Sequence, residues 1–185
     1  RDLDLRILEG GGEIAAHAGE VRHFLERPEP IIVSKANMRS SVHRRVHMDY
    51  LGIKTYGPTG EVVGERRFVG LFTSAAYNRT PRDIPYLRRK VARTLERAGF
   101  EPASHDGKEL INVLETFPRD ELFQIDEQEL YDITSDIVLL QQRPRIRLFV
   151  RRDRFGRFTS CLVYVPREQY TTALRERIEN ILSTA

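Results

Sequence analysis

The spacing of apolar positions along the chain changes several times, and each change marks an element. Leu3, Leu5 and Ile7 alternate with Asp4 and Arg6, the two-residue period of a half-buried strand. Gly10-Gly11-Gly12 interrupts this, and Ile14, Ala18, Val21 and Leu25 then recur at three- and four-residue steps, which predicts a helix over Glu13 to Arg27. Pro28 and Pro30 stop it, because proline donates no amide hydrogen and its ring collides with the preceding turn. Ile31-Ile32-Val33 is a short strand-like run, and Val42 to Tyr56 is extended in character. Gly57-Pro58-Thr59-Gly60 reads as a turn. Val62-Val63 and Arg67 to Ser74 return as strands, with Phe68 and Phe72 alternating against Val69 and Leu71. The whole predicts an antiparallel meander of about three or four strands.

A helical stretch follows. Thr80-Pro81-Arg82-Asp83 has the form of a capping box with proline at the first helical position. Leu87, Val91, Leu95 and Ala98 make the apolar stripe, and Gly99 suits the left-handed residue that ends a helix. A second helix carries Leu110, Ile111, Leu114 and Phe117 before Pro118. Asp126 caps a third, with Leu130, Ile133, Ile137 and Leu140 inward and Arg143-Pro144 at its end. Finally, Ile146, Leu148 and Val150 alternate with Arg145, Arg147, Phe149 and Arg151, and a matching alternation runs from Phe158 to Val165. Asp153-Arg154-Phe155-Gly156 between them predicts a β-hairpin, and Leu174, Ile178, Ile181 and Leu182 mark a last helix after Pro166.

These elements predict an α+β fold in three parts: a strand–helix lead-in over residues 1–30, an antiparallel sheet with packed helices over 31–143, and a hairpin-and-helix unit over 144–185. Composition narrows the function classes. At 40% hydrophobic and 31% charged residues the chain is globular rather than disordered. It has no apolar run of about 18 residues and no secretory signal, so no membrane role is expected. Its one cysteine, Cys161, fits a reducing cytoplasm and excludes an internal disulfide framework. The net charge is +3, and the arginine pairs Arg44-Arg45, Arg66-Arg67, Arg88-Arg89 and Arg151-Arg152 are spread out with acids between them. A nucleic-acid binder concentrates its basic residues on one face, so no nucleic-acid partner is expected. The chain opens on Arg1 without Met and stops just after a helical pattern, which reads as a segment of a longer polypeptide.

Candidate chemistry is sparse. Gly10-Gly11-Gly12-Glu13-Ile14-Ala15 satisfies a dinucleotide-binding turn between strand and helix. However, the second strand ends in Ser34-Lys35 rather than a ribose-binding acid, and a meander follows instead of βα units, so a flexible loop is the preferred reading. His43 and His47 lie four apart, but on a strand that separates them by about 13 Å, too far for one metal ion. His17, His23 and His105 have no assignable partners. Cys161 sits mid-strand and reads as a small packed residue rather than a nucleophile. Asp120-Glu121 and Asp126-Glu127 read as helix-start acids. The basic and aromatic residues from Arg151 to Tyr164 invite an RNA-binding reading, but Phe155-Gly156-Arg157-Phe158-Thr159 breaks the required pattern. No catalytic, cofactor-binding or metal-ligating residue is assigned.

Three long stretches resemble the large bacterial NAD-specific glutamate dehydrogenases. They are Phe68 to Asn78 (FVGLFTSAAYN), His105 to Leu110 with Leu114 to Gln124 (LETFPRDELFQ), and Arg147 to Asp153 running on through Gly156 to Tyr170 (YVPREQY at its end). The resemblance covers most of Pro30 to Leu182 and implies a region preceding the catalytic domain, built from PAS-like and ACT-like modules. Residues 31–143 are then expected to be PAS-like, and Arg145 onward to open an ACT-like, ferredoxin-like unit. The implied parent oxidises L-glutamate with NAD and water to 2-oxoglutarate, ammonia and NADH, with the catalytic motifs beyond Ala185, so this segment holds no cofactor and is expected to be inactive alone. Its expected partners are the remainder of the parent chain, a homo-oligomeric assembly and an amino-acid effector. Two roles fit, regulatory and purely architectural. For the effector or an interface the candidates are Arg147, Arg151 and Arg152, whose guanidinium groups suit a carboxylate, and Tyr50, Tyr56, Tyr77 and Asn78, which line a pocket or simply pack.

Overall fold

A computed structural model describes residues 29–153, 156 and 158–184. The strand and helix expected before Pro28, the Gly10 turn, His17 and His23 lie outside the described residues. The chain divides into two compact units, one holding the sheet up to Leu71 together with Asp153, the other holding Phe72–Arg152 and the residues from Phe158 onward.

The first unit is a three-stranded antiparallel sheet in the order β1 (Ile31–Arg39), β2 (His47–Tyr56), β3 (Val62–Gly70). In the register Ile32 faces Gly52, Val33 faces Leu51 and Ser34 faces Tyr50, and across β2 Leu51 faces Phe68 and Tyr50 faces Val69. β1 is longer than its apolar run because pairing continues through polar residues to Arg39 opposite His47, across a register shift. Val62-Val63 and the stretch from Arg67 form one strand rather than two, since Gly64, Glu65 and Arg66 pair with Thr55, Lys54 and Ile53. That strand ends at Gly70, and the expected extension to Ser74 becomes the start of a short helix, α1 (Ser74–Asn78). The turn at Gly57–Gly60 is present, closed by the Gly60 amide on the Gly57 carbonyl at 3.0 Å.

The second unit opens with α1 and continues with four more helices: α2 (Pro85–Ala98), α3 (His105–Thr116), α4 (Arg119–Gln124) and α5 (Glu127–Gln142). The capping box at Thr80 does not form: Pro81–Asp83 is a single 3₁₀ turn and the Thr80 side chain makes no capping hydrogen bond. Ile84 precedes Pro85 and is held extended, at φ −96° and ψ 115°, so the helix restarts at Pro85. The other predicted ends hold. Gly99 closes α2 at φ 64°, and the Asp126 carboxylate accepts the Glu129 amide at 2.7 Å. Ser104, unremarked in the sequence, caps α3 by accepting the Gly107 amide at 3.1 Å. Leu87, Val91, Leu110, Leu114, Leu122, Ile125, Leu130 and Ile137 form the core of this unit, and all are buried.

The predicted hairpin is β4 (Arg147–Arg152) with β5 (Thr159–Tyr164), pairing Phe149 with Leu162 and Arg151 with Ser160. Gly156 in its turn takes the left-handed φ of 65°, as expected of that glycine. A further helix, α6 (Thr172–Thr184), follows. The apolar alternation in β4 faces the opposite way from its hydrophobicity. Leu148 and Val150 are 46% and 53% exposed, whereas Phe149 and Arg151 are 9% and 5% exposed. The α+β class, with meander, helices, hairpin and final helix in that order, is as predicted.

Candidate functional site

The geometry of the second unit centres on the short helix α4. Its second carboxylate, Glu121, takes a two-point ion pair from β4: Arg151 Nε donates at 2.7 Å and Nη2 at 3.1 Å. The side chains are 5% and 16% exposed, so this pair is shielded from solvent. The Arg151 guanidinium also lies 5.8 Å from the Phe158 ring centre. Around the pair, Phe117, Ile125 and Ile133 from the helices meet Phe149, Ser160 and Leu162 of the hairpin, leaving a cavity of about 10 Å³. That space is about the size of one water molecule and admits no amino acid. Phe149 meets Tyr164 edge-on at 5.9 Å on the same face.

The opposite end of α4 is held by Lys90 from α2. This ammonium is buried and donates to the carbonyls of Leu122 at 2.8 Å, Phe123 at 3.3 Å and Ile125 at 2.6 Å. The last carbonyls of a helix have no intrahelical donor, and a cation there also meets the negative end of the helix dipole. The start of α4 is tied as well, since Tyr77 donates to Asp120 at 3.0 Å and Arg119 to the Arg79 carbonyl at 3.2 Å. Six residues therefore anchor α1, α2 and β4.

The predicted residues separate into these settings. Arg147 pairs with Asp136 of α5 at 3.0 Å in a largely exposed setting. Arg151 is engaged by Glu121, and Arg152 is exposed. Tyr77 and Asn78 stand on α1, outside the three-stranded sheet. Tyr50 and Tyr56 are both on β2, six residues or about 20 Å apart along the strand, so they line no common pocket. Tyr50 donates a hydrogen bond to Glu65, which in turn accepts from Arg67 at 3.1 Å. Burial first, and then the Glu65 carboxylate, push the Tyr50 phenol well above the ordinary range. Gly52 makes this arrangement fit, because a Cβ there would lie 1.8 Å from Glu65 Oε1.

The histidines do not share the strand assumed for them. His43 lies in the β1–β2 connection with φ 58°, whereas His47 is on β2 with its ring Nδ1 3.1 Å from the Ala36 carbonyl. Among the described residues no group of three His, Cys, Asp or Glu side chains has metal-binding geometry. Nor does any described helix have the length and hydropathy to cross a membrane. An open depression of about 370 Å³ lies between α5 and β4, lined by Tyr131, Asp132, Ile133, Ser135, Asp136 and Phe149.

Comparison with known proteins divides the second unit in the same places. Residues 84–143 match the model of glutamate dehydrogenase helical motif 1, and residues 147–185 match that of the glutamate dehydrogenase ACT2 domain. An NAD-specific glutamate dehydrogenase of Halomonas elongata is 44% identical over 160 residues, 86% of this chain and 10% of the relative. That of Pseudomonas aeruginosa is 47% identical over 159 residues, again 86% and 10%. That of Mycobacterium tuberculosis is 36% identical over 173 residues, 94% and 10%. The chain belongs to the NAD-specific glutamate dehydrogenase family. It spans about a tenth of the length of the curated relatives it matches.

In the family's terms, α2 to α5 are the helical motif and β4, β5 and α6 belong to the ACT2 segment. The Glu121–Arg151 and Asp136–Arg147 pairs therefore join one family segment to the other, and Lys90 is internal to the helical motif. Sequence reasoning missed Lys90, and read Glu121 only as a helix-start acid. Lys90 offered only one signal, its place among Leu87, Val91 and Thr94 on the buried stripe of α2.

Proposed function

We propose that this chain is a non-catalytic segment of an NAD-dependent glutamate dehydrogenase, in which the helical motif serves as a rigid seat for the ACT2 hairpin. The observation that carries the reading is the shielded two-point pair between Glu121 and Arg151. A guanidinium already bound at both points by an internal carboxylate holds structure together. The buried Lys90 supports the same reading, since a lysine acting as base or carbonyl polariser needs an amine that can reach substrate, and this one is directed at three backbone carbonyls. On this proposal the whole protein is a cytoplasmic homo-oligomer that converts L-glutamate, NAD and water to 2-oxoglutarate, ammonia and NADH, with NAD held outside this segment. Titrating the 185-residue chain with NADH and following cofactor fluorescence tests it. No saturable change is expected, and saturable binding would favour the nucleotide reading of the Gly10 turn instead. Affinity for RNA that falls steeply with salt would favour the nucleic-acid alternative.

A regulatory role is a second reading, favoured by one place. The depression between α5 and β4 is lined by the carboxylates of Asp132 and Asp136 and the aromatic surfaces of Tyr131 and Phe149, and Arg147 stands beside it, paired with Asp136 at 3.0 Å. That set suits both ends of a zwitterionic amino acid. Thermal shift with amino acids at millimolar concentration separates the two roles. A rise in melting temperature that Arg147→Ala abolishes supports an effector, and no rise with any amino acid leaves the seat alone.

A further inference from the structure

The outward face of the ACT2 hairpin is apolar. Leu148 pairs with Val163 and Val150 with Cys161, and Ile146 precedes them on the same face. Ile146, Leu148 and Val150 are 53%, 46% and 53% exposed, Cys161 is exposed, and Val163 is half-buried. The inward face is already occupied by the seat around Phe149 and Arg151. A strand solvated on one face reads as alternating apolar and polar, whereas a strand covered on both faces reads as a continuous apolar run. β5 and its continuation read Cys161-Leu162-Val163-Tyr164-Val165, five apolar or aromatic residues without a break. A two-stranded hairpin is also marginal by itself and gains stability from further strands or a packed face.

We infer that Leu148, Val150, Cys161 and Val163 form a docking face for the polypeptide of the same protein that lies outside this segment, which covers it with apolar side chains. The occupant follows from length. The curated relatives are about ten times as long as the stretch they share with this chain, so most of the protein is available to cover the face from within. The face carries no charge from Ile146 to Val150, with the exposed Arg152 at its far edge, which suits a permanent apolar cover rather than a soluble partner that must dissociate. The inference rests on membership of a longer family protein and is independent of any effector.

Cys161 reports on the cover directly. Native full-length enzyme is treated with a small maleimide, and labelling of the Cys161 peptide is followed by mass spectrometry against the same protein unfolded in urea. The expected result is labelling slowed by about tenfold or more, as for a group exposed only by local opening, and equally slowed at every protein concentration. Labelling at the unfolded rate overturns the docking face. Protection that disappears on dilution overturns the intramolecular occupant and assigns the face to a second copy.

Discussion

Arg151 on β4 and Glu121 on α4, thirty residues apart in sequence, meet through both Nε and Nη2 of the guanidinium at 2.7 and 3.1 Å, with 5% and 16% of their side chains exposed. Removing one partner leaves the other charged and shielded, which costs more than the pair contributes. Glu121→Leu and Arg151→Met should each destabilise the second unit by about 3–5 kcal/mol. The double variant Glu121→Leu with Arg151→Met should recover most of the loss. Urea unfolding of the four proteins measures this, and additive losses in the double variant would show that the pair does not act as a unit.

Lys90 supplies the donors for the end of α4. Lys90→Met keeps the apolar stem but strands the carbonyls of Leu122, Phe123 and Ile125. A loss of about 2–4 kcal/mol is expected, from charged hydrogen bonds removed and buried acceptors left without donors. Amide exchange should speed first in residues 119–125. Uniform change across the unit would argue against a local capping role.

Tyr50 and Tyr164 should ionise late in an alkaline absorbance titration, Tyr50 through burial and then Glu65, Tyr164 through burial. The folded phenols lie above their unfolded value, so folding favours the protonated forms. Their contribution to stability is complete below about pH 10, the unfolded value, and is lost as pH rises through the folded one. Tyr50→Phe should reduce the late fraction, and Glu65→Gln should bring Tyr50 down without returning it to the ordinary range. An unchanged late fraction in Tyr50→Phe contradicts the assignment.

Gly52→Ala tests the same cluster through shape. The added methyl would sit 1.8 Å from Glu65 Oε1, so the carboxylate must leave Tyr50. The alanine variant should show an earlier Tyr50 transition and a small loss of stability. If the Tyr50 transition stays where it is, Glu65 accommodates the methyl without releasing the phenol.

Features set by neighbours in sequence were legible in advance. Asp126 three residues before Glu129, Gly99 after a helical stripe and Gly156 in a four-residue turn each fix local geometry. The pattern misled where two local signals competed. Thr80 to Asp83 looks like a cap, but Pro85 forces Ile84 out of the helical region and divides the segment. β4 shows a different limit. Alternation identifies two faces but not which one meets the helices, and here a carboxylate on α4 and an aromatic cluster draw Arg151 and Phe149 inward against their polarity order. Lys90 was illegible because its acceptors lie 32 to 35 residues away and are backbone atoms. Of the candidate site residues, Arg147 and Arg151 were named for their charge, but the acids they meet, Asp136 and Glu121, became visible only with the fold.

The seat itself is best tested in the full-length enzyme by Arg151→Met, comparing the temperature of inactivation with the KM values for L-glutamate and NAD. A structural seat predicts that inactivation moves to lower temperature while both KM values stay at wild type in the enzyme that remains folded. An unchanged inactivation temperature together with a raised KM for either substrate would contradict it and place Arg151 in substrate binding.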